Sequence, residues 1–327
     1  MSMKRRLSLL CAGLSVSLAS VTAHAQSGPI SIFVGFPPGG ASDTLARLMA
    51  EKLRGELDAT VIVENRPGIG GRPAAVAVKN NPADGRSILI TPNSTGVFET
   101  LTQGPKVMGY DVLQDLQPVA RLTANPMVLV VNSKSGLTTP QQYLDWVKAD
   151  GSRAMFGTAG FGGDSTFYGL QLAKLGGVAL TSVPYRGNAP LIVDLLGGQV
   201  PAGVMVIGDA APHIQAGTLT PLGVFTRERT PLMPHLPTLK EQGFDTGADN
   251  GWMGVWVAKA TPPATVARLE QALATIMAQP ETQATVREKL NQIPDFRPAQ
   301  QADADLRAEL ATWGPVIQAS GIDFSKP

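Results

Sequence analysis

The stretch from Ile30 to Leu57 restricts the fold more than any other part of the chain. An apolar run, Ile30–Val34, stops at Phe36-Pro37-Pro38-Gly39-Gly40, and beyond it Leu45, Leu48, Met49, Leu53 and Leu57 recur at the spacing of a helix face. A β-branched run, Val61–Val63, follows. Strand, turn, helix and strand in so few residues form a βαβ unit, whose two strands lie parallel in one sheet. The pattern returns in the second half. Ala154–Gly157 reads as a strand, Thr158-Ala159-Gly160-Phe161-Gly162-Gly163-Asp164-Ser165 as its turn, and Leu170, Leu172, Ala173 and Leu175 as a helix. The fold class is therefore α/β, and 327 residues give room for two domains.

The remaining signals fill in these two halves. The first helix is expected to open at Ser42 or Asp43, with one of them as its cap. A helix follows Arg72-Pro73, Pro82-Ala83-Asp84-Gly85 is a turn, and Ser87–Thr91 is a strand. The second run begins near Asn125 with a strand at Met127–Val131, then a helix capped by Thr139 with Pro140 at its first position, ending at Ala149. Leu180–Tyr185, Val200–Ile207 and Leu219–Thr226 read as strands, and Asp209–Ala216 as a helix. Gly251–Lys259 is an apolar strand whose Trp252 and Trp256 share a face and read as core. Thr261-Pro262-Pro263 caps a helix to Ala278, and Glu281–Leu290 with Gln301–Ala319 forms a helical tail, packed on the first sheet, with no further strand.

The N-terminus assigns the compartment. Lys4, Arg5 and Arg6 precede an apolar stretch from Leu7 to about Ser20, and Ala23-His24-Ala25 supplies small residues at the cleavage positions. This is a secretory signal peptide cut after Ala25, too short to span a bilayer, so the expected location is the periplasm. The one cysteine, Cys11, lies inside it behind the bulky Leu10, which disfavours lipid anchoring, and the mature chain can have no disulfide framework. Loss of the three basic residues takes the formal charge from +1 to about −2, which argues against nucleic-acid and broad membrane-surface binding. No later stretch is apolar enough to be a transmembrane helix.

A strand that delivers backbone amides to a helix N-terminus holds anions, because those N–H groups lack acceptors and the helix dipole is positive there. Phe36 to Asp43 is such a turn, and Gly39 and Gly40 let a ligand approach the main chain. Gly157 to Ser165 is a second, with the hydroxyls of Thr158 and Ser165, but it lacks the Gly-Lys-Ser/Thr ending of a nucleotide loop. Both also fit ordinary capped turns. In Val63-Glu64-Asn65-Arg66-Pro67-Gly68-Ile69-Gly70-Gly71, Arg66 either meets a ligand or pairs with Glu64 to hold the loop. Tyr185 and Arg186 stand at a strand end, where α/β sheets place ligands, though Arg186 also fits a surface charge. Catalysis is poorly provided for. His213 and His235 read as structural, and there is no Gly-x-Ser-x-Gly elbow, metal-ligand cluster or thiol nucleophile.

These pieces, together with Ala46-Arg47, Pro184-Tyr185-Arg186-Gly187, Asp194-Leu195-Leu196-Gly197-Gly198-Gln199-Val200 and Pro212-His213-Ile214, follow one another as in a known family. Over nearly all of the mature chain the sequence resembles the extracytoplasmic solute receptors of tripartite tricarboxylate transporters, the Bug family. The resemblance implies a type II-like Venus flytrap: two α/β domains, crossing strands and a ligand cleft between them. The expected division is residues 26–124 with 250–327 for the first domain and 125–249 for the second, with a hinge near 123–127 and 225–250. The expected binding residues are Phe36, Pro38, Gly39, Gly40, Ala41, Ser42, Asp43, Asn93, Thr158, Ala159, Gly160, Gly163, Ser165, Tyr185 and Arg186. In that family a ligand carboxylate is held largely by loop amides, hydroxyls and ordered water. The expected partners are a small carboxylate and the membrane subunits of the transporter, with a membrane sensor kinase as the alternative. No cofactor, metal or catalytic residue is expected, and the protein is expected to be a monomer.

Three departures bear on the ligand. Gly35 stands where the family usually has Pro, the run Asp164-Ser165-Thr166-Phe167-Tyr168 lacks the family's His, and Gln199-Val200-Pro201-Ala202-Gly203-Val204-Met205-Val206 stands where an acidic or amide residue is common near Met205. An amino-acid ligand, which needs an acceptor for its ammonium, is therefore disfavoured. A more apolar mono- or dicarboxylate, aromatic ones included, is expected.

Overall fold

The structure, a computed structural model, describes residues 28–322; the expected signal peptide and its cleavage after Ala25 lie outside them. The first part of the chain runs β1 (Ile30–Val34), α1 (Ala41–Leu57), β2 (Val61–Asn65), α2 (Arg72–Asn80), β3 (Ser87–Pro92), α3 (Asn93–Gly96), α4 (Phe98–Met108), α5 (Val112–Asp115) and β4 (Leu116–Asn125). The middle runs β5 (Met127–Asn132), α6 (Pro140–Ala149), β6 (Met155–Thr158), α7 (Asp164–Leu175), β7 (Thr181–Pro184), α8 (Asn188–Gly197), β8 (Ala202–Val206), α9 (Ile207–Gln215) and β9 (Leu219–Val224). The last part adds β10 (Gly251–Ala258), α10 (Pro263–Ala278), α11 (Pro280–Glu288), β11 (Ile293–Pro298) and α12 (Ala299–Ser320).

Two sheets form. One has the order β11-β4-β10-β3-β1-β2, the other β7-β6-β8-β5-β9. In the first, β1 runs parallel to both neighbours, with Ile32 opposite Val63 and Ile88, as the βαβ pattern requires. In the second, β6 is parallel to β7 and β8. The chain passes between the sheets twice: from β4 to β5 through Pro126 alone, and from β9 to β10 through residues 225–250. At the crossing Gly251 is paired with Asn125.

Burial follows the sequence pattern. On α1, Leu45, Ala46, Met49, Ala50, Leu53 and Leu57 are buried against β1, β3 and α10. An aromatic seam joins the sheets elsewhere. Phe98 of α4 stacks on Phe167 of α7 at 5.8 Å, and Trp313 of α12 lies 5.4 Å from Phe98 and 5.2 Å from Tyr168. Trp252 and Trp256 stack at 5.8 Å and are fully buried.

The structure corrects three readings and supplies the elements of residues 93–125. The first helix opens at Ala41 with Gly40 as its cap, and neither Ser42 nor Asp43 caps it, because Asp43 turns its carboxylate back on the loop. Thr261 makes no cap either: Pro262 is the cap residue of α10, and the Thr261 hydroxyl is buried without a partner. The tail is not wholly helical, since β11 pairs with the edge of β4. Residues 93–125 hold three short helices and the ten-residue β4. That strand is buried along almost its whole length, between β10 and β11 and beneath helices, so it shows no alternation to read.

Candidate functional site

All the expected binding residues lie just beyond the carboxyl ends of parallel strands. Phe36 to Asp43 follow β1, Asn93 follows β3, Thr158 closes β6 and is followed by Ala159 to Ser165, and Tyr185 with Arg186 follow β7. Ligands of open α/β sheets gather at that edge.

The first turn is built around Asp43. Its Oδ2 accepts from the Gly39 N–H and from Arg47 Nε, both at 2.9 Å. Its Oδ1 accepts from Arg47 Nη2 and Asn65 Nδ2, also at 2.9 Å. Burial would raise this carboxyl, but the hydrogen bonds from Arg47, Gly39 and Asn65 outweigh it and hold it below the usual range. Four bonds use the acceptor capacity of a carboxylate. Asp43 is therefore the staple of the turn and has no bond left for a ligand. Asn65 Nδ2 also donates to the Phe36 carbonyl at 3.1 Å, tying the second glycine loop to the first. Within that second loop Arg66 pairs with Glu64 at 3.1 Å and lies over the Phe33 ring.

What the staple leaves free is main chain. Pro38, Gly39, Gly40 and Ala41 are exposed. The amides of Ala41, Ser42 and Asp43 open the 17-residue α1 and have no intrahelical acceptor. They form the positive pole of the site. The Ser42 hydroxyl is buried and points at Met253 Sδ of β10, 3.7 Å away.

In the second turn Thr158 is buried and spends its hydroxyl on the Gly160 carbonyl at 2.7 Å. Gly160 has a φ of +154°, which favours glycine, and Gly163 caps α7. Ala159 is exposed and Ser165 buried. Tyr185 donates to Asp194 Oδ2 at 2.8 Å; burial and that carboxylate push its phenol up to about 12. Arg186 is exposed.

The lobes meet beside Asn93. Its Oδ1 accepts from the Trp252 N–H at 3.0 Å, and its Nδ2 donates to Glu309 Oε2 at 2.7 Å. Trp252 Nε1 donates to the other oxygen of Glu309 at 2.6 Å. Burial pushes Glu309 up to about 7 against these two bonds and the nearby Arg121 guanidinium. Arg121, itself buried, pairs with Asp295 and lies 3.7 Å from Asp305. Facing this group from the other lobe is Asp164, the first residue of α7, which burial pushes up to about 6. Asp164, Glu309, Trp252, Asn125 and Gly251 were not among the expected site residues. A glycine heading an otherwise bulky apolar strand, Gly251-Trp252-Met253, was the one usable signal. A cavity of about 770 Å³ between α7, β7 and the end of α12 is mostly apolar, with Gln171 and Lys174 in its wall, and touches the expected set only through the loop that holds Phe161.

Two α/β sheets linked by crossing strands, with candidate residues at the carboxyl ends of both, define a two-lobed solute-binding protein. The model of the tripartite tricarboxylate transporter family receptor matches residues 45–322. The chain belongs to that family, one of periplasmic solute-binding receptors and not of enzymes. It is 29% identical to Protein BugT of Bordetella pertussis, over 98% of this chain and 99% of that one. Among solved structures it is similar to R. palustris Rpa4515 with adipate, at a TM-score of 0.80 and 28% identity, over 90% of this chain and 97% of that one. MatC from Rhodopseudomonas palustris with bound malate has a TM-score of 0.76 and 27% identity, over 88% and 98%. Among the described residues no helix is long and apolar enough to cross a membrane.

Proposed function

We propose that the protein captures a small mono- or dicarboxylate, aromatic ones included, between its two sheets and delivers it to the membrane subunits of a tripartite tricarboxylate-type transporter. The observation that carries this reading is the unclaimed amide pole of α1, beside an exposed Pro-Gly-Gly turn, at the carboxyl end of β1. Asp43 holds that turn in shape, so the amides are fixed before any anion arrives. Relatives bound to adipate and malate support a carboxylate. Micromolar binding needs about −8 kcal/mol, within reach of a few charge-assisted hydrogen bonds at roughly 1.5–3 kcal/mol each, with apolar burial, after association costs. In this reading residues 26–124 with 250–327 form one domain and 125–249 the other, and they close about 123–127 and 225–250.

The test is a thermal-shift screen of the mature protein against a carboxylate library. A ligand at a hundred times its Kd stabilises the native state by about 2.7 kcal/mol. At least one small carboxylate is expected to raise the melting temperature in proportion to the logarithm of its concentration. A library without such a member overturns the reading.

A further inference from the structure

The cavity between α7, β7 and the end of α12 has a graded wall. Phe167, Leu170, Gln171 and Lys174 line it at the spacing of one helix face. Phe167 is fully buried, Leu170 and Gln171 are half-buried, and Lys174 is exposed. The face therefore passes from an apolar floor, through an amide, to an ammonium at the lip. Leu180, the buried residue before β7, completes the floor.

The opposite wall is low. There α12 presents Pro315, Ala319 and Ser320, whose short side chains leave the gap unfilled. Glu309 ties α12 to Trp252 and Asn93 of the first lobe, whereas α7 belongs to the second. Trp313 packs on Phe98 and Tyr168 just before this point, so the aromatic seam opens into the cavity. The space is a gap between the lobes, and the glycine turns reach it only through Phe161.

Its volume of about 770 Å³ lies within the roughly 300–1,000 Å³ of small-molecule sites, which are likewise mostly apolar with a few polar groups. Lys174 is the only charged residue among those that line it, and its ammonium has no ion pair or hydrogen bond among the described residues. A cation at the lip would meet Lys174, whereas an anion meets no carboxylate in the lining. Phe167 and Lys174 are seven residues apart, about 10 Å along the helix. A chain of about eight carbons spans that length from floor to lip.

We propose that this cavity is a second binding site, for an amphipathic monocarboxylate whose apolar body lies on Phe167, Leu170 and Leu180 and whose carboxylate stands beside Lys174. The amide pole of α1 takes no part in it, and neither reading needs the other.

The test is calorimetric titration of the mature protein with hexanoate, octanoate, octan-1-ol and octylammonium. Octanoate is expected to bind about ten-fold or more tighter than hexanoate, because each buried methylene adds about four-fold. It is expected to bind about three- to five-fold tighter than octan-1-ol, the modest factor of an exposed cation, and this preference falls with added salt. Octylammonium is expected to bind weakest. Lys174→Ala is expected to remove the preference for octanoate and leave octan-1-ol unchanged. Ala319→Trp fills the gap and is expected to weaken octanoate and octan-1-ol at least ten-fold; its melting curve checks the fold, and Ser320→Trp repeats the test from the next residue. Gly40→Val is expected to leave octanoate binding unchanged. Octanoate that does not bind, or binds no tighter than octan-1-ol or octylammonium, overturns the inference. So does octanoate affinity untouched by both tryptophan variants. Octanoate affinity lost in Gly40→Val places the acid in the cleft and overturns it while the carboxylate reading stands. Octanoate binding only to a chain ended at Ile322 makes residues 323–327 the occupant and overturns it as well.

Discussion

Replacing Asp43 by alanine separates a structural staple from a ligand contact. The substitution removes four hydrogen bonds at once. Arg47 is half-exposed and regains water, so its share is small. The Gly39 N–H loses its carboxylate acceptor and the Asn65 amide keeps only the Phe36 carbonyl, at about 1–2 kcal/mol apiece. The expected loss is about 2–4 kcal/mol, or roughly 3–6 °C in melting temperature for a chain of this size. The sign with pH is also set. The carboxyl is lowered in the folded state, so its contribution is present above its unfolded pKa near 3.8 and lost as pH falls through the folded value. Urea denaturation at pH 7 and pH 3, with titration of the best carboxylate at pH 7, measures all three quantities. Both stability and affinity are expected to fall at pH 7, and the stability gap to narrow at pH 3. An Asp43→Ala protein that melts like the parent but no longer binds would refute the staple and make Asp43 a ligand contact.

Gly40→Val is expected to fold, because its φ is −77° and a methyl there meets only the Pro37 carbonyl at 3.6 Å; the poorer cap costs about 1 kcal/mol. Its carboxylate affinity is expected to drop about ten-fold or more and that of Arg186→Ala by less, and calorimetry giving the reverse order would replace the amide pole with a salt bridge. Trp313→Ala empties a site 3% exposed between Phe98 and Tyr168 and is expected to cost about 3–5 kcal/mol in urea denaturation; a loss under about 1 kcal/mol means that α12 does not tie the lobes together. Burial holds Glu99 and Glu309 near 7 against 4.5 in the free side chain. Between those values the folded chain binds more protons than the unfolded one, so each group's contribution is full below about 4.5 and is lost as pH rises to about 7, by about 3 kcal/mol at most. The urea midpoint is expected to be higher at pH 5 than at pH 8, and a midpoint that climbs over that range contradicts the assignment.

Local pattern was enough for the α/β class, the βαβ start and both glycine turns, because strand and helix periods are written in neighbouring residues. It also reached the cap of α6, where Thr139 and Gln142 form the reciprocal bonds of a capping box. It did not reach β4 or β11. One is buried along almost its whole length and the other is a half-buried edge strand, so neither alternates, and their register exists only against β10 and against each other. The role of Asp43 was likewise closed to sequence: an acid at a helix start reads as a cap or a ligand contact, and only the fold brings Asn65 to its second oxygen. The meeting of segments around Gly251 lies furthest from the sequence. Residues 93, 125, 164 and 251 come from four segments, and each alone is an ordinary turn or strand end. Their oxygens converge because one sheet sets the register of Asn125 against Gly251, and the seam of Phe98, Phe167, Tyr168 and Trp313 holds the other lobe's Asp164 against them.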